Sequence, residues 1–306
     1  MIFNSLDFIE KLSVEERLNY LGNERKAPAP KKLYRSNMML NPLNLKHLNR
    51  IDELDADMIT LNLEDAIAPS RKKEALYNIA LFLSHLKTSK SFIIVRINPL
   101  HEGGLEEIVF LDAFGFDAVR VVKIKTKNEI EKIDTLLNSE IEIHISLETK
   151  EAFQNLATWQ GIPRFTTANL GILDLLTSLG LPQSLVTHDN PTIHYILSKF
   201  LIDAHTSGVH PISFMYQEYK DTKSFRKWCE IEKRMGFTTK ACMGPIQVAI
   251  ANEVFSVEDT QLIRAKHIKK VFEASALQGE NGFMDEQYGF IDEPIYRDAL
   301  LVLQNS

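Results

Sequence analysis

Charged residues stand where short apolar segments of the chain end. DMITLNLE closes on Glu64, with Asp65 next, SFIIVRIN reaches Arg96 and Asn98, and DAVRVVKIK reaches Lys123 and Lys125. IEIHISLE closes on Glu148, and LYRSNMML carries Arg35. Asp174 lies four residues beyond a further apolar segment, RFTTANL. Mg²⁺ takes oxygen ligands in octahedral geometry and commonly uses only one or two protein carboxylates, leaving the other positions to water and substrate. Glu148 and Asp174, carried by neighbouring segments, meet that demand. Two plainer readings stay open. Any one of these charges fits an ion-pair network, and Asp174 also suits a helix N-terminus, where the macrodipole favours a carboxylate.

The apolar segments read as strands at 33–40, 57–64, 91–98, 117–125, 141–148, 164–170, 210–215 and 239–244. Between them run amphipathic stretches such as SRKKEALYNIALFLSHLK and DTKSFRKWCEIEKRMG, with apolar residues at spacings of three and four. Eight such units predict an α/β fold, a (β/α)₈ TIM barrel, with an open doubly wound sheet as the competing architecture. In a barrel the carboxyl ends of the strands form the site, which gives the charged strand ends their meaning. Residues 1–32 are expected to form an N-terminal helical segment, including an amphipathic helix and a solvated KAPAPKK linker, that caps the barrel. Residues 33–256 would be the barrel. Residues 257–306 would be a C-terminal helical extension, a lid or arm, in which FSVEDTQLIRAKHIKKVFEASALQ is one helix and a turn at Gly282 and Gly289 precedes another.

Composition narrows the function classes. The net charge is −6 and the basic residues do not cluster, which argues against a nucleic-acid partner. No segment approaches the ~20 apolar residues of a membrane span. The N-terminus is acidic where a signal peptide would be basic, so a cytoplasmic location is expected. Cys229 and Cys242 stand apart without a CxxC pattern, and His188, His194, His205 and His210 form no HxxxH pair, so neither a disulfide framework nor zinc is indicated. Gly103 and Gly104 make no GxGxxG loop. Met38 and Met39 read as barrel core, and His144 as an interior strand residue.

The same segments resemble the citrate lyase beta-subunit and HpcH/HpaI 2-keto acid aldolase family. LNLEDAIAPSRKKEA is similar to LDLEDAV-A-P-x-x-K-x-x-A, and RSNMML, FIIVRIN, VVKIK and ISLET resemble the RSxLFV, VRVN, PKV and IET blocks in the same order. LGILDLLTSLGL, the KDTKSFRKWCEIEKRMGFTTK helix, GPIQVAIANEVFS and GFMDEQYGFIDEPIYRDA follow as the family's later blocks, so the resemblance runs from about residue 33 to 303. It implies an Mg²⁺-dependent carbon–carbon lyase of the citryl-CoA or malyl-CoA type, releasing a 2-oxo acid and an acyl-CoA, with Mn²⁺ as an alternative ion. Glu148 and Asp174 match the metal ligands, and Arg96 matches the arginine that binds the 2-oxo acid carboxylate. Glu64 and Asp65 match an acidic pair supporting metal-bound waters and the substrate pocket. Lys123 and Arg35 match basic substrate-binding positions near the mouth. Partners implied are a small 2-oxo acid, an acyl-CoA and further copies of the chain, as a homotrimer or larger homo-oligomer.

Departures gather in the thioester half of the pattern. Pro42 and Leu43 replace a glycine-containing turn, Val122 a proline, Leu173 a glutamate, Ser213 an aspartate and Gly244 a histidine, while Lys150, Glu151 and Ala152 replace small residues. Two competing functions follow: a CoA-independent 4-hydroxy-2-oxo acid aldolase, and a non-catalytic dicarboxylate-binding barrel.

Overall fold

The computed structural model describes residues 1–29, 34–137 and 141–304. Leu33, Pro30 and the two lysines of the expected linker, and the last two residues of the expected extension, lie outside them. Eight parallel strands form one sheet: β1 Ser36–Leu40, β2 Met58–Asn62, β3 Phe92–Arg96, β4 Ala118–Val121, β5 Glu142–Leu147, β6 Phe165–Leu170, β7 His210–Ile212 and β8 Lys240–Cys242. Each lies inside an expected segment and is shorter. Sequential strands are neighbours, β1 pairs with both β2 and β8, and a parallel bridge from Ser213 to Lys240 joins the two outer strands. The bridge rests on Ser213 N donating to Thr239 O (3.0 Å) and Ala241 N to Ser213 O (3.2 Å). The sheet is therefore the expected TIM barrel, and the doubly wound alternative, which needs a reversal of strand order, is excluded.

Local sequence explains the connecting helices. In Thr222–Met235 the Asp221 carboxylate caps the start by accepting from Ser224 N (3.0 Å), and Gly236, at φ 108°, ends the helix in a conformation that favours glycine. Phe225, Trp228, Cys229 and Glu232, three or four residues apart, form its buried face. Glu232 meets the equally buried Lys240 of β8 at 2.6 Å, so the one charge on that face is paired.

Strand alternation sorts the barrel interior. Met58, Phe92, Ile94, Ala118, Ile212 and Ala241 form an apolar cluster, against which Ala29, Tyr34 and Met215 pack. Two residues further along their strands come Thr60, Arg96 and Arg120, so the inward face turns polar towards the carboxyl ends.

The N-terminal segment differs from its expectation in detail. Its helix is short, Asp7–Lys11, followed by a 3₁₀ turn at Glu16–Tyr20. The expected linker begins with a buried residue: Lys26 Nζ lies 2.8 and 2.7 Å from the two Asp117 oxygens, and Ala29 N donates to Asp117 at 2.8 Å. Asp117 directly precedes β4, so this segment is pinned at the amino ends of the strands.

Residues 255–304 form a separate compact unit. Its helix is Asp259–Ala276, and a second helix, Glu293–Gln304, packs with it around Ile268, Phe272, Ile291 and Ala299. The expected bare turn between them is an antiparallel hairpin, β9 Gly282–Asp285 and β10 Gly289–Asp292. Asp285 closes it by accepting from Gln287 N and Tyr288 N, with Gly289 at φ 77°. Among the described residues no helix is long and apolar enough to cross a membrane.

Candidate active site

Four strand ends converge on one cavity of about 280 Å³ at the carboxyl face of the barrel. Arg96 is the last residue of β3, Glu64 and Asp65 follow β2, Glu148 follows β5, and Asp174 sits in the first turn of the helix Ile172–Ser178 that follows β6. Arg96 Nη2 is the hub. It lies 2.8 Å from Glu64, 3.2 Å from Asp65 and 3.1 Å from Glu148, while Nη1 donates to Asn62 Oδ1 at 3.2 Å. Lys123 completes the ring, its Nζ 3.2 Å from Glu64 Oε1 and its backbone N–H donating to Glu148 Oε2 at 3.3 Å.

Backbone conformation helps aim these groups. Lys123 (φ 54°) and Ala66 (φ 65°) adopt the left-handed region without being glycine, and both flank the ring. Such strain persists where surrounding contacts over-determine it, as at functional sites. Gly171 serves differently. A Cβ there would lie 2.4 Å from Glu148 Cγ, so the bare backbone is what admits the Glu148 side chain to its place.

Electrostatics marks Glu148 as the unusual carboxylate. Burial pushes its pKa up to about 7; Arg96 opposes the rise, while Asp174, Glu64 and Asp65 add to it. Glu64 is also raised, first by burial and then by its bond with Asp65. Asp65, with an exposed side chain, goes down instead: burial is outweighed by its bonds to Glu64 and Arg96. Burial opposes but does not overcome the carboxylates around Arg96 and Lys123, whose pKa values are raised. Among the described residues no three His, Cys, Asp or Glu side chains are grouped so as to hold a metal ion together, so a divalent cation here would rest on one or two carboxylates and take its other ligands from water and substrate, as Mg²⁺ commonly does.

The structure thus brings together Arg96, Glu64, Asp65, Lys123, Glu148 and Asp174. It does not bring Arg35 to them. Arg35 precedes β1 and pairs with Asp57, which precedes β2, at 2.8 Å. A residue ahead of a parallel strand lies at the amino face, so the structure does not place Arg35 with the other expected site residues at the mouth. Met38 is core as expected, but Met39 lines the cavity. His144 is interior, stacked on Phe92 with centroids 5.6 Å apart. Arg120 and Asn169 also line the cavity and were not singled out from the sequence. An arginine inside AVRV, two residues after an inward alanine, was the available sign.

The model of the HpcH/HpaI aldolase/citrate lyase family matches residues 35–245. The chain belongs to this family. A (3S)-malyl-CoA thioesterase of Cereibacter sphaeroides strain ATH 2.4.9 is 27% identical over 248 residues, 81% of this chain and 86% of the relative. An L-malyl-CoA/beta-methylmalyl-CoA lyase of C. sphaeroides strain ATH 2.4.3 is 22% identical over 253 residues, covering 74% and 80%. The crystal structure of the protein CitE from Mycobacterium tuberculosis with magnesium, acetoacetate and coenzyme A shares the fold, at a TM-score of 0.67 and 16% identity over 89% of this chain and 98% of that one. The carbon–carbon lyase class expected from the sequence agrees with the family's description. One departure from the family pattern has a local cause: a Cβ at Gly244 would lie 3.0 Å from the Tyr219 ring, which occupies the space a histidine side chain would need.

Proposed function

We propose that this chain is an Mg²⁺-dependent lyase that cleaves a 3-hydroxyacyl-CoA of the citryl-CoA or malyl-CoA kind into a 2-oxo acid and an acyl-CoA. The observation that carries the reading is the convergence of Glu148, Asp174 and Arg96 on one cavity at the carboxyl face. Glu148 and Asp174 would hold the ion, and Mn²⁺ would suit the same oxygen donors. When bound, the metal supplies Lewis-acid stabilisation of the negative charge that develops on oxygen as the carbon–carbon bond breaks. Arg96 binds the substrate carboxylate, and its planar fork fixes the acid's orientation. Asn62 and Glu64 hold the guanidinium in place, and Asp65 backs the ring from the solvent side. Lys123, kept protonated by Glu64, offers a cation to the acyl donor at the rim. A cytoplasmic homo-oligomer, trimer or larger, completes the reading.

Thioester hydrolysis is the second reading, favoured by the 27% identical malyl-CoA thioesterase. Malyl-CoA and citryl-CoA, incubated with the protein and Mg²⁺, separate the two. The lyase yields a 2-oxo acid and no free thiol, and a thioesterase yields free thiol. Turnover of a 4-hydroxy-2-oxo acid with neither thioester used would assign the CoA-independent aldolase. The metal assignment fails if calorimetry finds no Mg²⁺ or Mn²⁺ binding that Glu148→Ala removes.

A further inference from the structure

Among the described residues Arg120 is a buried cation with no ion-pair partner, and the Glu148 carboxylate acts on it only at longer range. Arg120 lies in β4 beside Arg96 of β3, its register partner, and is 3% exposed. Nη1 donates to Asn169 Oδ1 at 2.6 Å, but Nε and Nη2 are buried with no hydrogen-bond partner. Asn169 repeats the pattern. Its Oδ1 also accepts from Asn37 Nδ2 at 3.3 Å, whereas its own Nδ2 is buried and unpartnered. Arg96 Nε is a further orphan. All four unpaired atoms are donors, and all three side chains line the 280 Å³ cavity.

Buried polar groups left unpaired are rare and costly, so a group of them facing one cavity indicates the ligand that pairs them. Orphans that are all donors require acceptors. A guanidinium has five donors and no acceptor, and its best partner is a carboxylate. The two arginines differ in what they already hold: Arg96 touches three carboxylates, whereas among the described residues the side chain bonded to Arg120 is a neutral amide. Burial, and then the charge of Arg96, press the Arg120 pKa down to about 9. A neutral thioester carbonyl would leave that charge uncompensated, whereas an anionic group would not.

We propose that Arg120, with Asn169, is a specificity-determining site that takes a second carboxylate of the substrate, so that the cavity selects a 2-oxo dicarboxylate over a 2-oxo monocarboxylate. The inference rests on the reading of Arg96 and the metal ligands as a 2-oxo acid site, and adds a residue to it.

Calorimetric titration of the full chain in saturating Mg²⁺ tests this with two probes, oxaloacetate and pyruvate. The wild type is expected to bind oxaloacetate on the order of ten-fold or more tightly than pyruvate, the worth of a charge-assisted pair. Arg120→Met should remove that preference by weakening oxaloacetate, with pyruvate changed by less than about three-fold. Asn169→Leu should reduce it in the same direction, so a misfolded Arg120→Met leaves two measurements standing. Equal affinity of the wild type for both acids overturns the inference. So does equal loss of both in Arg120→Met, which would make the arginine a support for Arg96. Binding of neither acid by the wild type would instead refute the 2-oxo acid reading, and this inference with it.

Discussion

Gly171→Ala isolates the placing of Glu148 from every other property of the site. Gly171 has φ −87° and ψ 74°, so alanine brings no left-handed strain, and the donation from its N–H to Leu147 O (3.0 Å) is kept. What changes is the space. The new Cβ would stand 2.4 Å from Glu148 Cγ, 3.2 Å from Oε1 and 3.3 Å from Cδ, where ordinary contact begins at 3.4 Å. Relief requires the Glu148 side chain or the β6 end to retreat by roughly 1 Å, and errors of that size in a site cost on the order of 100-fold in function. Misplacing a ligand by its support costs about 10–100-fold in metal affinity, and overpacking about 1–3 kcal/mol in stability. Calorimetric Mg²⁺ titration reads the first, and urea denaturation the second. If the clash acts through Glu148, truncating that side chain removes it, so the Gly171→Ala/Glu148→Ala double variant is no less stable to urea than Glu148→Ala alone. A folded Gly171→Ala variant with wild-type Mg²⁺ affinity would refute the assignment of Glu148.

Two further expectations concern the scaffold. Asp117 accepts from Lys26 Nζ, Ala29 N and Ile93 N, and both charged side chains of the pair are almost wholly buried. Asp117→Ala strands the Lys26 charge and should cost about 3–5 kcal/mol by urea denaturation, with Mg²⁺ affinity unchanged because the pair sits at the opposite face. His210 has its pKa lowered to about 4, first by burial and then by His144 and His205. Below the ordinary value of 6.5 the unfolded chain takes up a proton that the folded one refuses, so stability is full above pH 6.5 and lost as pH falls towards 4. The loss is at most about 3 kcal/mol; a His210→Asn variant with the same pH slope would show that another group is responsible.

The barrel was legible because the feature that defines it is local. Eight apolar segments separated by amphipathic ones needed no knowledge of contacts, and each strand fell within its expected segment. The ends were less legible. Side chains pointing to both faces extend an apolar run past the last ladder bond, so the fourth segment was read to Lys125 where β4 stops at Val121. The buried start of the linker was hidden for a different reason. Lysine and proline composition describes a solvated segment, and only the tertiary position of Asp117 makes Lys26 a buried residue.

The site was legible to the extent that strand direction and side-chain parity were applied together. Glu64, Arg96 and Glu148 stand at or just after the ends of their strands, and direction alone places them at the mouth. Arg35 resembled them in type, yet it stands before its strand, and the direction that gathers the others carries it to the opposite face. Arg120 fails the same rule from the other side. It lies within β4, so a search of strand ends passes over it, whereas parity with inward Ala118 puts it in the cavity. A charged residue in the middle of a short apolar strand has nowhere outside the protein to go, and its partner must come from the barrel or from what the barrel binds. For Arg96 the barrel supplies three carboxylates; for Arg120 it supplies one amide oxygen. That difference cannot be read from two arginines in neighbouring segments, because it depends on which strands face them across the interior.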